Sequence, residues 1–112
     1  MSRTAASIDV FHAVADGTRR RMIDLLSKGE TSVSAIVEHF DISQPSISEH
    51  LRILREAGLV AVRQLGRQRL YRIQPEPLRP VADWVAHYEK FWNEKFDALG
   101  KHLEKRHGKK SS

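Results

Sequence analysis

Apolar side chains recur at helical spacing through the first half of this chain, and at Gly58 that period stops. Before it, four short stretches each repeat an apolar residue every three or four positions, the period of a helix with one buried face. After it come two short runs, Leu59-Val60-Ala61-Val62-Arg63-Gln64 and Leu70-Tyr71-Arg72-Ile73, with the β-branched and aromatic residues of strands. Leu65-Gly66-Arg67-Gln68-Arg69 between them is the expected hairpin tip, with glycine for the turn. Several short helices followed by one hairpin leave few ways to bury both.

The breaks between helices are explicit. The first helix is expected from Ser7 to Val14, on Ile8, Phe11 and Val14, and Asp16-Gly17 breaks it. Thr18 is the expected cap of the second, which runs through Met22, Ile23, Leu25 and Leu26 to Lys28-Gly29. Ser32 caps a third, with Val33, Ile36, Val37 and Phe40 on its core side, and Asp41-Ile42 is a turn. Ser43 caps a fourth, with Pro45 in the first turn, where its missing N–H costs nothing. The buried stripe there is Ile47, Leu51 and Leu54, and Ala57-Gly58 closes the helix. Pro75, Pro77 and Pro80 mark the hairpin's exit, and a long helical pattern follows from about Pro80 to Glu104. The order is α-α-α-α-β-β-α, mainly α (α+β). It is the plan of a winged helix-turn-helix, whose third helix positions and whose fourth reads DNA. Residues 1–6 are the expected flexible N-terminus, 7–104 a winged-helix DNA-binding and dimerisation domain, and 105–112 a disordered basic tail.

Composition narrows the chemistry. The chain has 112 residues, the size of one domain, and no cysteine, which excludes disulfides, zinc–thiolate sites and cysteine nucleophiles. No apolar run approaches the roughly 18–20 residues of a membrane helix, and the first residues lack the apolar stretch of a signal peptide. A cytoplasmic protein with no membrane partner is expected. No nucleophile elbow or phosphate loop is present, so an enzyme is not expected. The net charge of +5 is concentrated. Arg63, Arg67, Arg69, Arg72 and Arg79 stand against Glu76 alone in the hairpin region. Lys101, Lys105, Arg106, Lys109 and Lys110 stand against Glu104 in the tail, while residues 1–58 are near neutral. A basic hairpin suits a polyanion; a basic tail is usually a solvated end.

With Ile47, Leu51 and Leu54 inward, a turn of 100° per residue puts Pro45, Ser48, Glu49 and Arg52 on the opposite face, with Gln44 at the helix start. Gln pairs bidentately with adenine, Arg with guanine, Glu accepts from cytosine, and proline can touch a thymine methyl. Ser46 and Ser48 are small enough for close approach. An ordinary solvated helix face has the same polarity. On the hairpin, Arg67 and Arg69 flank Gln68 at the furthest reach, where arginines enter a minor groove or clamp phosphate; Arg63 and Arg72 suit phosphate or strand neighbours. A charged edge that resists aggregation is the alternative. Ser32 and Ser34 offer phosphate contacts or simple capping. Arg19-Arg20-Arg21 opposes the helix dipole, so compensation is expected from Asp16, Asp24 or phosphate. His50 lies at the edge of the buried stripe, placed for helix–helix hydrogen bonding or for DNA contact and pH sensitivity. The last helix carries Trp84, Tyr88, Phe91, Trp92 and Phe96, a stripe too long for the core of one small chain to cover. A second copy, joined also through Phe11 and Val14 of the first helix, is the expected partner. The six histidines show no metal-ligand spacing, so no metal site and no cofactor are expected.

Three segments together resemble a known family. The stretch from Phe11 to Ile23, through Ala15-Asp16-Gly17-Thr18-Arg19-Arg20-Arg21, resembles the opening motif of the ArsR-type winged-helix repressors. Ile42 to Val60, through Ser43-Gln44-Pro45-Ser46-Ile47-Ser48-Glu49-His50-Leu51, resembles their reading helix running into the first wing strand. Gly66-Arg67 with Tyr71-Arg72-Ile73 resembles the wing. Gly17 stands where the family usually has proline. The resemblance implies a homodimeric bacterial transcription factor, most often a repressor of its own or other genes, joined through its first and last helices on a palindromic operator. The family's thiolate metal site corresponds to Ser32 and Ser34 here, and hydroxyls do not replace thiolates for soft metals. Its second metal site would draw on Asp83, His87, Glu89 and Glu94, without the paired spacing. A sensor gated by zinc, nickel or a small organic inducer is the second reading, and a winged helix used only for protein contact is a third.

Overall fold

The computed structural model describes residues 8–95. The elements run α1 (Val10–Val14), α2 (Gly17–Leu26), β1 (Thr31–Ser32), α3 (Val33–His39), α4 (Gln44–Glu56), β2 (Val60–Leu65), β3 (Gln68–Ile73), a short 3-10 turn (Glu76–Leu78) and α5 (Arg79–Ala86). The expected termini, 1–6 and 105–112, and the last helical turns beyond 95, Phe96 included, lie outside the described residues. The chain divides into two compact units, one up to Arg79 and one from Pro80.

The first unit is built around one apolar cluster. Met22 and Leu26 of α2, Ile36 of α3, and Ile47, Leu51, Ile53 and Leu54 of α4 are buried together with Leu59, Val60 and Tyr71. The α4 stripe is therefore the expected one, with Ile53 added. Ser43 caps α4 as expected, its Oγ accepting from the Ser46 N–H at 3.3 Å. The end of α4 is a Schellman motif: Leu59 N–H donates to Leu54 C=O at 2.9 Å and Gly58 N–H to Arg55 C=O at 3.0 Å. Gly58 takes φ +81°, which a side chain resists. The two hydrophobic ends of the motif, Leu54 and Leu59, are both fully buried. The helix that ends at Glu56 thus delivers the chain directly into β2.

Four expectations need correction. The cap of α2 is Asp16 rather than Thr18: its carboxylate accepts the Arg19 N–H at 3.0 Å, and the helix begins two residues early, at Gly17. Aspartate is the better acceptor at this position, and Gly17 becomes a helical residue instead of a loop residue. The sheet has three strands, in the order β1-β3-β2, all antiparallel. Thr31 opposite Tyr71 and Ser32 opposite Leu70 give β1 only two residues, too few to leave an alternating pattern. The hairpin turn is two residues, Gly66 and Arg67, with Leu65 paired to Gln68, so Arg69 lies on the strand and not at the tip. Gly66 at φ +63°, with no non-glycine residue at positive φ, has the glycine placement of a type II′ turn. The long last helix is interrupted: after Ala86 the bonds shorten to His87 N–H to Trp84 C=O and Tyr88 N–H to Val85 C=O, and helix resumes over 89–95.

Leu54 has no solvent exposure and belongs to the apolar cluster, whereas Leu65 sits half-exposed on the wing. Leu54→Ala is expected to cost about 2–5 kcal/mol of stability, and Leu65→Ala no more than about 0.5 kcal/mol. Urea unfolding of the two variants checks the difference.

Candidate nucleic-acid interface

α3, the Phe40–Ser43 turn and α4 form the helix-turn-helix. Burial of Ile47, Leu51 and Leu54 fixes the rotation of α4, and Gln44, Pro45, Ser46, Ser48, Glu49 and Arg52 all come out exposed. They differ in how free they are. Among the described residues no side-chain hydrogen bond holds Gln44 or Ser48. Ser46 is tied to the cap, its Oγ accepting from the Ser43 hydroxyl at 3.1 Å. Arg52 is clamped: Nε and Nη2 donate to Glu49 at 3.1 and 2.7 Å, and Nη1 donates to Glu56 at 2.8 Å. The Arg52 hydrogen bond, and then its charge, hold the Glu49 carboxyl below its ordinary range. Glu49 and Arg52 thus form one polar unit rather than two independent groups. The spacing of three and four that joins Arg52 to Glu49 and Glu56 was readable in the sequence.

The wing carries the expected arginines in unequal roles. Arg67 at the turn and Gln68 at the start of β3 are exposed, with no side-chain hydrogen bond among the described residues. Arg69 donates to the Tyr71 hydroxyl at 3.3 Å, with its guanidinium 5.9 Å from the centre of that ring. Arg63 is engaged in a bidentate pair with Glu30, at 2.8 and 2.9 Å, a partner across the sheet of the kind expected as the alternative to phosphate. That hydrogen bond lowers the Glu30 carboxyl's pKa. Glu30 was not readable as its partner, because 33 residues separate them and they meet only through the sheet, in which β1 and β2 both pair with β3. Ser32 caps α3, accepting from the Ala35 N–H at 3.2 Å; Ser34 is exposed.

Two of the three arginines of α2 are compensated from α1. Arg19 Nε donates to Ala13 C=O at 2.7 Å and Nη2 to His12 C=O at 3.2 Å, while Arg20 donates to Val14 C=O at 2.7 Å. The Ala13 and Val14 carbonyls are among the last of α1, which helix geometry leaves without intrahelical donors, while that of His12 also accepts the Ala15 N–H at 3.2 Å. Arg21 lies 5.6 Å over the Phe40 ring. His50 Nδ1 is 3.2 Å from Arg19 Nη1, the helix–helix hydrogen bond that its place on α4 allowed. Among the described residues no group of three histidine or acidic side chains could hold a metal ion, and no helix is long and apolar enough to cross a membrane.

Asp16 is the cap on which this arrangement starts. Its pKa is lowered, first by the Arg19 N–H and then by the Arg19 charge. Asp16→Ala is expected to cost about 1 kcal/mol at pH 7. A carboxylate with a depressed folded-state pKa stabilises above its unfolded pKa and loses that contribution as pH falls through the folded value. The gap between the two proteins should therefore be full at neutral pH and close below the ordinary carboxylate range. Urea unfolding at neutral pH and again in acid, below that range, measures it; an undiminished gap in acid would rule out an ionised cap.

Comparison with known proteins meets this geometry at the same segment. Residues 16–62, from the α2 cap into β2, match the family described as bacterial regulatory protein, arsR family. The transcriptional repressor SdpR of Bacillus subtilis is 38% identical over 80 residues, covering 71% of this chain and 89% of that repressor. The crystal structure of an ArsR family transcriptional regulator superposes with a TM-score of 0.66 at 34% identity, covering 76% of this chain and 88% of the other. A second, described as a possible transcriptional regulator for arsenical resistance, is 41% identical with a TM-score of 0.62, covering 85% and 96%. The helix-turn-helix and the β2–β3 hairpin are those of this group, and the chain belongs to the arsR family of DNA-binding transcriptional repressors, regulators and not enzymes.

Proposed function

We propose that this chain is a cytoplasmic homodimer that represses transcription by reading a palindromic operator in double-stranded DNA with two copies of α4 and clamping it with two wings. The observation that carries the reading is the outward face of α4, where Gln44 and Ser48 stand exposed beside the Glu49–Arg52 unit. Base edges are read by side chains at the start of such a helix, and phosphates by the flanking elements. Gln44 is the free reader. Arg52 meets a base either by leaving Glu49 and Glu56 or together with Glu49, so sequence choice is coupled between the two. Arg67, at the wing turn, is the free clamp, and Arg69 reaches outward from its place on Tyr71. Arg63 serves the sheet through Glu30 rather than phosphate.

Dimerisation supports the same function, since a two-fold protein reads a two-fold site. Trp84, Tyr88, Phe91 and Trp92 are large aromatic side chains between 43% and 56% exposed. Contiguous apolar surface of that kind marks a contact site. A second copy meeting it, with Phe11 and Val14 of α1 as the other half, is the proposed interface; Phe96 extends the stripe in sequence. Sedimentation of the intact protein at micromolar concentration should give a dimer. Trp92→Glu should give a folded monomer, checked by circular dichroism, because a charge buried without a partner is costly. A wild-type monomer would overturn the interface.

The test of the reading is selection of duplexes by the purified protein, from its own genomic fragments and from a random library. Enrichment of one palindromic sequence, with the protein's own promoter among the fragments, is expected. Gln44→Ala should then relax the preference at particular base pairs, by about 1–3 kcal/mol for a bidentate contact. Arg67→Ala should weaken binding to most sequences alike and flatten the slope of log affinity against log salt by about one for each phosphate left without its arginine. If Gln44, Ser48, Glu49 and Arg52 can all become alanine with the preferred sequence unchanged, another face reads the DNA.

A further inference from the structure

Arg19 is the one charged side chain buried among the described residues, at 7% exposure, and its bonds reach three elements. Nε and Nη2 hold the last carbonyls of α1, at Ala13 and His12. Its backbone N–H closes the Asp16 cap of α2. Nη1 reaches His50 Nδ1 at 3.2 Å, on the inner edge of α4. A guanidinium carries only N–H donors, so the imidazole nitrogen in this bond must be the acceptor. The reading face of α4 lies on the same helix as this bond, and its rotation and tilt are set on the inner side.

We infer that Arg19 is a positioning residue for DNA reading, which seats α4 against α1 and α2 through a hydrogen bond that only a His50 imidazole unprotonated at Nδ1 can accept. The inference rests on the proposed role of α4 as the base-reading helix. The charged groups around His50 make the bond conditional. Arg19 and Asp16 face it from the start of α2, Asp16 with an oxygen 4.0 Å from the same Nδ1, and Glu49 precedes it on α4. α1 contributes backbone carbonyls to Arg19. The Asp16 carboxyl stays ionised through the range in which imidazoles ordinarily gain a proton, about pH 5 to 8. A proton on Nδ1 therefore removes the acceptor of Arg19, repels the guanidinium and is drawn to Asp16 instead. The contact that seats α4 exchanges for one that reaches only the cap of α2. Operator binding should weaken as pH falls, through a residue that does not touch DNA.

Two variants separate this from a merely structural role. His50→Gln still offers Arg19 an acceptor, an amide oxygen, and does not titrate; His50→Leu offers nothing. The probe is the highest-affinity duplex recovered from the random library, and affinity is measured at about pH 8 and about pH 5.5, across the imidazole range, at constant salt. At the higher pH, His50→Gln should bind within about threefold of wild type and His50→Leu at least about tenfold more weakly, the range of an ordinary coupling between sites. Between the two pH values the wild type should lose at least about fivefold more affinity than His50→Gln. Nitrogen chemical shifts of the His50 ring, measured on the full chain without DNA at the higher pH, should show an unprotonated Nδ1 and a protonated Nε2. A protonated Nδ1 there, a His50→Leu protein that binds as wild type, or a pH response shared by wild type and His50→Gln each overturns the inference. Gln44→Ala distinguishes its failure from that of the reading helix. If Gln44→Ala relaxes base preference while the His50 variants change nothing, α4 reads DNA without this seat. If Gln44→Ala also changes nothing, the reading face itself is wrong.

Discussion

The apolar stripe of α4 can be buried in only one rotation of the helix, and the rest of the molecule follows from that rotation. Ile47, Leu51 and Leu54 pack against Met22, Leu26 and Ile36, so Gln44, Ser48, Glu49 and Arg52 must face outward. Leu54 acts twice. It closes the helical core and, through its carbonyl and its side chain, closes the Schellman turn with Leu59. The strand that follows starts from a buried residue in a fixed direction, and the wing inherits its position from the helix it accompanies. A change that tilted α4 would move reader and clamp together.

Around this apolar seat the polar groups are arranged so that few are free. Arg19 and Arg20 take up the carbonyls that end α1, a compact solution to the orphan groups of a five-residue helix. Arg63 is engaged by Glu30, and Arg52 is shared between Glu49 and Glu56. Exposed pairs of this kind contribute little to stability but restrain long side chains. On the proposed reading the consequence for recognition is a division of labour: Gln44 and Arg67 would meet DNA without first giving up a partner, while Arg52 and Arg63 would have to give one up. A reader that must leave a carboxylate gains only from a base that offers more than the carboxylate did, which sharpens choice at the cost of affinity.

Much of this was legible. The change of period at Gly58 placed the hairpin, the serine at position 43 placed the start of α4, and the spacing of Ile47, Leu51 and Leu54 identified its inner face. What escaped the sequence shares one cause. β1 is two residues long and has no period of its own; it exists because Tyr71 and Leu70 offer it an edge. The Glu30–Arg63 pair depends on that edge, and the Arg19–His50 bond joins residues 31 apart on different helices. The Asp16 cap is the exception, a local choice in which aspartate outranks threonine. The interruption at 87–88 falls within an unbroken apolar pattern, whose spacing alone suggested one continuous helix.

The sequence by itself determined the kinds and order of most elements, the inner face of the reading helix and the residue types available to meet DNA, because periodicity, caps and turn glycines act within a few residues of one another. Tertiary structure decided which of those residues are free to act. Whether an arginine reaches phosphate or a glutamate, and whether a histidine is an acceptor or a bystander, depends on what the fold brings within about 3 Å of it, since hydrogen bonds weaken steeply beyond that distance. For Arg63 and His50 those neighbours come from parts of the chain more than thirty residues away, and no local pattern records them.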